Sequence, residues 1–273
     1  MEEADYRFVQ YKIRKLVGID LSHYKSNQMQ RRLNTYLLRS GYDNWPGLFR
    51  AIQDDPVALG ELRDYLTINV SSFFRDPDKF ERLKTVILPA LLRGHPRLRV
   101  WSAGCSHGHE PYSLAIVLAE LTGLYSRHTI LATDIDHSAL ARAQAGGPYA
   151  VAEMENVLPA LRDRYFTRQP DKNGADTYWI IEALRRRISF SRHNLLTDDF
   201  ESDLDFIVCR NVVIYFTAQV KAELYRRFCH ALRPGGILFL GGTEVISRSA
   251  EIGFEIADVT FYRRKLEPAE NVK

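Results

Sequence analysis

One segment, Trp101 to Ala115 (WSAGCSHGHEPYSLA), constrains the fold of this chain more than any other. It lies between an apolar run and an amphipathic helix pattern, which predicts a strand that turns through closely spaced glycines into a helix. Gly104 and Gly108 carry no side chain, so backbone in this turn can approach a ligand closely. The segment therefore predicts a nucleotide-type pocket at the end of a strand.

The glycine spacing distinguishes this turn from a dinucleotide-binding loop. Dinucleotide binding calls for G-x-G-x-x-G, in which the second glycine admits a pyrophosphate. Here the spacing is G-x-x-x-G, and His109 and Glu110 follow directly. A carboxylate where a phosphate would lie favours a ligand without phosphate and with positive charge. S-adenosylmethionine, which carries a sulfonium and an ammonium, meets both conditions.

Two later strand patterns end in polar residues. The run Thr129–Ile135 contains Asp134, which lies 26 residues beyond Gly108, close to the offset at which a carboxylate binds ribose hydroxyls in doubly wound folds. Asp136 is a weaker candidate for that role. The apolar run that starts at Leu204 breaks into Arg210 and Asn211 where a central strand should open onto a ligand crevice.

Alternating patterns predict a doubly wound, mostly parallel α/β sheet. Strands are predicted at 98–103, 129–135, 188–193, 204–209 and 236–241, with helices at 78–92, 111–121, 137–144 and 218–232. A last strand, Val259–Arg263, follows too little helix for a crossover and is expected to be antiparallel.

The first 68 residues contain only helical patterns, at Tyr6–Val17, Ser22–Ser40, Trp45–Gln53 and Val57–Leu66. We predict a helical domain over 1–68, a linker over 69–78 and an α/β domain over 79–273. A small antiparallel β insertion with a helical piece at Glu155–Arg164 is expected at about 146–187. Its turn and strand formers fit either a packing flap or a subdomain that docks a peptide on a strand edge.

Composition excludes several protein classes. The chain has 273 residues, 45% hydrophobic and 26% charged, and no apolar stretch of membrane length, so a cytoplasmic protein without membrane insertion is expected. Three cysteines without a C-x-x-C pair predict neither disulfides nor a zinc site. His107 and His109 have no third ligand at a fixed spacing, and a metal would compete with a cationic cofactor, so no metal is predicted.

The N-terminal helices carry a basic face. Between Arg7 and Arg39 there are eight Lys or Arg residues and one acid. In the helix predicted over Ser22–Ser40, hereafter the basic helix, periodicity places Arg31, Arg32 and Arg39 away from the apolar side. We predict that these three arginines bind an acidic substrate. A solvated face without a partner remains open. Nucleic acid is disfavoured, because surface aromatics and an overall basic excess are lacking.

Six motifs occur in the order and spacing of the chemoreceptor glutamate O-methyltransferases, the CheR family of bacterial chemotaxis: INVSSFFRD, WSAGCSHGHEPYSLA, ATDID, HNLL, CRNVVIYF and GILFLGGTE. The chain resembles this family from about Met1 to Arg264. The resemblance implies transfer of a methyl group from S-adenosylmethionine to glutamate side chains on the cytoplasmic helices of chemoreceptors, with S-adenosylhomocysteine as product, in chemotactic adaptation. It also implies that 1–68 is a substrate-recognition domain, that the linker 69–78 contributes to the cofactor site and that 79–273 is the methyltransferase domain. The cofactor-binding residues that it implies are Asn69, Ser71, Arg75, Glu110, Asp134, Asn194, Leu195, Arg210 and Asn211.

The chain departs from the family pattern at two places. The family usually has Thr-Gly-Glu-Glu where this chain has His107-Gly108-His109-Glu110, and often Thr-Asn where it has Ile68-Asn69. The first departure leaves open a non-catalytic sensor or scaffold that binds the cofactor. A nucleic-acid methyltransferase that uses the basic helix is the other alternative.

The chemistry of ester formation agrees with the residues present. A glutamate carboxylate is already ionised at pH 7, so the acceptor needs no general base. We predict that Arg75 orients this carboxylate bidentately and that Tyr215 donates a hydrogen bond or lines the methyl path. A surface ion pair for Arg75 and a core position for Tyr215 are the alternatives.

Overall fold

Two compact units make up the chain in the computed structural model, which describes residues 1–266. The first unit comprises Met1–Asn69 and Val212–Lys221. The second comprises Val70–Asn211 and the described residues from Ala222 onward. The segment 212–221, which the sequence assigns to the methyltransferase domain, is thus grouped with the N-terminal helices.

Four helices form the first unit: α1 (Glu3–Val17), α2 (Ser26–Ser40), α3 (Trp45–Ile52) and α4 (Pro56–Thr67). Gly18 and Gly41 adopt left-handed conformations at the ends of α1 and α2, which glycine does without a steric penalty. Asp55 caps α4 by accepting from the backbone N–H groups of Val57 and Ala58. The apolar faces of these helices enclose one core around Leu33.

The basic helix starts later than Ser22, the start predicted from periodicity. A 3-10 turn, Leu21–His23, precedes α2 because the Asp20 carboxylate accepts a hydrogen bond from the N–H of Ser22. Tyr24 then forms an isolated antiparallel bridge with Phe216. Extended backbone therefore separates the turn from the helix.

A seven-stranded sheet organises the second unit, with strand order β6-β2-β1-β7-β8-β10-β9. Its strands are β1 (Arg99–Ala103), β2 (Thr129–Asp134), β6 (Ile188–Arg192), β7 (Leu204–Cys209), β8 (Leu232–Leu240), β9 (Phe254–Asp258) and β10 (Phe261–Arg264). The pairs β6-β2, β2-β1, β1-β7 and β7-β8 are parallel, whereas β10 is antiparallel to β8 and β9. The predicted doubly wound sheet with an antiparallel final strand is confirmed.

The second unit contains α5 (Pro77–Arg82), α6 (Leu88–Gly94), α7 (His109–Thr122), α8 (His137–Ala145), α9 (Pro159–Tyr165), α10 (Glu182–Arg185) and α12 (Ser249–Ile252). Helix α11 (Ala218–Ala231) belongs to the first unit up to Lys221 and to the second unit from Ala222. A π-helical segment, Leu83–Ile87, joins α5 to α6 where the sequence predicts one helix over 78–92. Buried apolar residues from α7 and from the central strands dominate the core.

Two further predicted elements begin four residues away from the predicted start, and one strand was not predicted. Strand β8 begins at Leu232 rather than 236, because Leu232 already pairs with Leu204 of β7 before a register shift that precedes the Phe206–Ile237 pair. Strand β9 was not predicted. It is an edge strand that contains polar residues, and its apolar Ile256 is exposed, so no buried apolar run marks it in the sequence. Helix α9 begins at Pro159, not at 155, because proline is favoured in the first helical turn.

The insertion forms a separate three-stranded antiparallel sheet, as predicted. Its strands are β3 (Tyr149–Ala150), β4 (Phe166–Pro170) and β5 (Asp176–Ile180), in the order β3-β5-β4. Within the described chain β4 pairs only with β5, so its other edge is unpaired. Among residues 1–266 no helix is long and apolar enough to cross a lipid bilayer.

Candidate active site

The carboxyl ends of β1, β2, β6, β7 and β8 all lie at one edge of the sheet, because these strands are parallel. The strand order changes direction beside β1, which is where doubly wound folds bind ligands outside the carboxyl ends of their strands. Eight of the nine predicted cofactor residues fall in the second unit, where they lie in the linker or at and after the ends of these strands. Asn69, Tyr215 and the three arginines of the basic helix fall in the first unit and are described with it.

The glycine loop joins β1 to α7 and is fixed to the end of β2. The N–H groups of Gly104 and Cys105 donate to the carbonyl oxygen of Thr133, at 2.8 and 2.9 Å. Gly108 has a φ of +90°, and an added Cβ there would lie 3.0 Å from the Cβ of Ala143 and 3.1 Å from the ring of Tyr112. Gly108 is therefore required by the packing of α7 on α8 as well as by the turn.

Asp134 lies at the end of β2 and shapes the same loop. Its Oδ2 accepts from the N–H of Ser106 at 2.7 Å, and its Oδ1 accepts from the N–H of Asp136 at 3.0 Å. Burial raises the pKa of this carboxyl, although the two backbone hydrogen bonds oppose the shift. Asp136, the weaker candidate, is fully buried and caps α8 through Ser138 and Ala139. The carboxylate of Asp136 is thus engaged in capping α8, whereas Asp134 is partly exposed.

Glu110 lies in the first turn of α7, directly behind the glycine loop. Its Oε1 accepts a hydrogen bond of 2.8 Å from the hydroxyl of Ser102. Its Oε2 is 3.9 Å from Nη1 of Arg210. Burial raises the pKa of Glu110 to about 7, and the positive charge of Arg210 limits the shift. A ligand cation bound beside Glu110 would stabilise its ionised form.

Arg210 follows β7, and its side chain is only 3% exposed. Its guanidinium donates to the carbonyl oxygen of Arg75 at 2.9 Å and to the carboxylate of Asp76. The same group lies over the ring of Phe239, with 4.7 Å to the centroid. Arg210 therefore ties the linker to the sheet edge. Asp76, which the sequence did not single out, is the acid that holds it.

The linker has an unusual backbone. Phe74 and Asp76 have φ angles of +50° and +59°, a region that non-glycine residues rarely adopt. Arg75 lies between them, is partly exposed, and donates from Nη1 to the carbonyl oxygen of Val70 at 3.1 Å. Ser71 is also partly buried. This backbone fixes Arg75 and Asp76 in place, and strained segments of this kind are common at functional sites.

Asn194 and Leu195 follow β6. The side-chain oxygen of Asn194 accepts a hydrogen bond from the backbone N–H of Leu196 at 3.0 Å. The backbone N–H of Asn194 donates to the carboxylate of Asp198 at 2.9 Å. Leu195 is buried, and its carbonyl oxygen accepts from Arg227 at 2.6 Å. These contacts make a fixed turn beside the carboxyl ends of the central strands. Asn211 follows β7 and donates its N–H to Glu244, which sequence reasoning missed.

His107 and His109 meet a third group in the structure. Atoms of His107, His109 and Glu153 that could bind a metal lie within 4.8 Å of one another. Glu153 already accepts from His109 at 2.8 Å and from Arg142 at 2.6 Å. Burial lowers the pKa of both histidines, that of His107 to about 4. The expected absence of a metal stays a prediction, and Glu153 is already engaged by hydrogen bonds with His109 and Arg142.

The basic helix of the first unit is less uniform than its sequence predicts. Arg31 and Arg39 are exposed, whereas Arg32 is half-buried, with its guanidinium 4.3 Å from the ring centroid of Tyr65. Arg32 also donates to the carbonyl oxygen of Tyr65. Arg32 therefore differs in exposure from Arg31 and Arg39, because an aromatic ring from α4 covers it, and the predicted binding of an acidic substrate by the three arginines stays a prediction.

A cavity of about 380 Å³ lies next to this helix within the first unit. Cationic and phenolic side chains share its wall, among them Lys25, Arg31, Arg32, Tyr65 and Tyr215. Tyr215 lines the cavity beside Lys25, because the backbone N–H of Lys25 donates a hydrogen bond of 2.9 Å to the carbonyl oxygen of Tyr215. Asn69, at the end of the unit, donates from its amide to the hydroxyl of Thr67 at 3.2 Å. The first unit thus carries a positively charged concave surface that is suited to a carboxylate.

The pKa of Glu110 gives a testable pH dependence. If the ionised form binds the ammonium group of the ligand's methionyl end, the affinity for S-adenosylhomocysteine, which keeps that group, should fall as pH drops below about 7, by up to about tenfold per pH unit. Calorimetric titrations between pH 5.5 and 7.5 measure this slope. Glu110→Gln has no carboxyl to titrate, so its affinity should be lower near pH 7 and its slope flat. An equal slope in both proteins would assign the titration to another group.

Comparison with known proteins agrees with this geometry. Residues 69–263 match a family described as "CheR methyltransferase, SAM binding domain", and residues 4–67 match "CheR methyltransferase, all-alpha domain". A chemotaxis protein methyltransferase from Listeria monocytogenes is 41% identical over 262 residues, which cover 95% of this chain and 97% of that protein. Chemotaxis protein methyltransferase 1 from Pseudomonas aeruginosa is 37% identical, over 89% of this chain and 91% of that protein.

Proposed function

We propose that this chain, which belongs to the CheR methyltransferase family, methylates glutamate side chains of bacterial chemoreceptors with S-adenosylmethionine. The observation that carries the proposal is the pair of carboxylates at neighbouring strand ends. Glu110, buried behind the glycine loop, suits the cationic part of the cofactor, and Asp134 suits its ribose. The predicted family, enzyme class and cofactor are confirmed by the match to the S-adenosylmethionine-binding domain over residues 69–263.

The reaction requires alignment more than acid–base chemistry. S-adenosylmethionine, when bound, supplies a methyl group on sulfur, and in-line attack by a carboxylate oxygen forms the ester C–O bond as the C–S bond breaks and S-adenosylhomocysteine leaves. The acceptor is ionised at neutral pH, so the protein's contribution is to hold the carboxylate in line and exclude water. Good alignment is worth up to about 7 to 11 kcal/mol. We assign orientation of the acceptor to Arg75 and a hydrogen-bonding or lining role to Tyr215.

Two surfaces fit a chemoreceptor partner. The first is the cationic cavity beside α2, which is complementary to a helical surface that carries several glutamates. The second is the unpaired edge of β4, where a peptide such as a receptor C-terminal tail can add a strand. Receptor methylation helices lie in the cytoplasm, so we place the protein there. Neither surface calls for nucleic acid or membrane insertion.

Methyl transfer to receptor-enriched membranes tests this proposal directly. Labelled methyl groups should pass from the cofactor to receptor bands and be released by mild base, because carboxyl methyl esters hydrolyse there and methylated amines do not. Cofactor binding without any transfer would favour the sensor or scaffold alternative. Retention on RNA or DNA with a steep salt dependence would favour a nucleic-acid methyltransferase.

The exposure of Arg31 yields a prediction for receptor recognition. Arg31→Glu should slow receptor methylation about threefold to tenfold at low ionic strength and flatten its salt dependence, because an exposed charge acts mainly on encounter. Affinity for S-adenosylhomocysteine should not change. Arg50→Glu, a charge reversal at an exposed position of α3 outside this basic face, is the matched control. Equal rates and equal salt slopes in both variants would move recognition away from α2. Arg32 is unsuitable for this test, since its replacement also removes contacts to Tyr65.

A further inference from the structure

We infer that Glu244 is a positioning residue of the methyltransferase site, which holds the turn that carries Arg210 and Asn211 to the crevice. Glu244 follows β8, in the segment Gly241-Gly242-Thr243-Glu244, and is 2% exposed. The inference rests on the proposed function, because it concerns how that site is built. Its test below is read in cofactor affinity, which does not depend on the identity of the methyl acceptor.

The carboxylate of Glu244 links the ends of two neighbouring strands. Its Oε2 accepts from the backbone N–H of Asn211, after β7, at 2.9 Å and from that of Gly241, after β8, at 2.6 Å. The backbone N–H of Glu244 in turn donates to the carbonyl oxygen of Gly241 at 2.9 Å. One buried oxygen thus satisfies two amides that neither strand pairs, and leaving such amides unpaired is costly.

The turn that Glu244 holds has a conformation that needs support. Asn211 has a φ of +60°, in the left-handed region that non-glycine residues seldom adopt. The preceding Arg210 has its guanidinium fixed by Asp76 and by the carbonyl oxygen of Arg75. The backbone at Asn211 must therefore bend sharply directly after an anchored side chain. The hydrogen bond from Asn211 to Glu244 is the contact that fixes this bend.

Gly241 permits the close approach of the carboxylate. A Cβ at Gly241 would lie 2.6 Å from Oε2 of Glu244 and 3.1 Å from the N–H nitrogen of Asn211, so the carboxylate would have to move. A Cβ at Gly242, the next residue, meets nothing within 4 Å. Neither glycine has a positive φ. The two positions therefore provide a matched pair, one that displaces Glu244 and one that does not.

The role of Glu244 requires an acceptor oxygen and not a negative charge. A glutamine keeps one oxygen for both N–H donors, whereas an alanine leaves both unpaired. The other oxygen of Glu244, Oε1, is buried without a hydrogen-bond partner in the described part of the chain, so the amide nitrogen of a glutamine would lie there without breaking a bond. Glu244→Gln should consequently rescue what Glu244→Ala loses.

Four variants test the inference: Glu244→Ala, Glu244→Gln, Gly241→Ala and Gly242→Ala. Calorimetry with S-adenosylhomocysteine is performed well below each melting temperature, alongside methyl transfer to receptor membranes. We expect Glu244→Ala and Gly241→Ala to lose about tenfold or more in affinity, and Glu244→Gln and Gly242→Ala to stay within about threefold of the parent. Methyl transfer should follow the same order.

The results of these measurements distinguish the positioning role of Glu244 from the proposed methyl transfer. Parental affinity in Glu244→Ala, or equal losses in Glu244→Ala and Glu244→Gln, would overturn the positioning role. If Glu244→Ala does not fold, the comparison of Gly241→Ala with Gly242→Ala decides, and equal affinities there would overturn it. Absence of methyl transfer by the parent protein would instead refute the proposed function, while the order of affinities would still decide the role of Glu244.

Discussion

Replacement of Asp134 by alanine is expected to weaken the binding of S-adenosylhomocysteine by about 1.5 to 3 kcal/mol, which is about a tenfold to 150-fold loss of affinity. Two causes act together. The variant loses a carboxylate that is placed to bind ribose hydroxyls, and it releases the N–H of Ser106, which Asp134 holds at 2.7 Å in the glycine loop. Isothermal titration calorimetry measures the loss directly.

Asp136→Ala is the control for this prediction. Asp136 lies two residues away and is fully buried, but its carboxylate caps α8. Loss of this cap should lower the free energy of unfolding by about 0.5 to 2 kcal/mol and should leave cofactor affinity nearly unchanged. If Asp134→Ala also binds with parental affinity while folded, the ribose contact lies elsewhere. If both variants lose affinity equally, the effect is loop stability and not a ligand contact.

The sequence predicted the position in the fold of those candidate site residues that depend on local pattern. Glu110 follows a glycine turn and Asp134 ends an apolar strand, and both assignments depend on the rule that parallel strands present their carboxyl ends at one edge. Arg210 and Asn211 follow from the same rule. The strand periods were strong enough to locate β1, β2, β6 and β7 to within one residue.

Residues that act through distant contacts were not predictable in this way. Glu244 meets Asn211 across 33 positions, and Glu153 meets His109 across 44. Asp76 reaches Arg210 across 134 positions, through a linker with a left-handed φ that no propensity indicates. Periodicity reports which face of an element is apolar, but it does not report which loop carboxylate turns inward.

The basic helix shows a related limit. Periodicity separated Arg32 from the apolar residues of α2, and the helix of Ser26–Ser40 agrees with that pattern. Yet Tyr65 of α4 covers its guanidinium, and burial lowers the pKa of Arg32. A long charged side chain can lie along an aromatic ring and remain protonated. Arg31 and Arg39, which stay exposed, are therefore better candidates for receptor contact.

Arg75→Lys is expected to lower kcat of receptor methylation by about tenfold to 100-fold, with little change in the affinity for S-adenosylhomocysteine. Arg75 is partly exposed and lies between two left-handed residues, and one nitrogen of its fork donates to the carbonyl oxygen of Val70. This contact leaves other N–H groups of the guanidinium for an acceptor carboxylate. A lysine keeps the charge but lacks the planar fork, so it attracts the carboxylate without fixing its direction.

Steady-state kinetics and calorimetry on the same preparation separate the two effects. Arg82→Lys, an exchange at the exposed arginine that pairs with Asp258, is the matched control and should leave both quantities at the parental level. Equal losses of kcat and cofactor affinity in Arg75→Lys would place Arg75 in the cofactor site alone. A parental kcat would exclude Arg75 from aligning the acceptor.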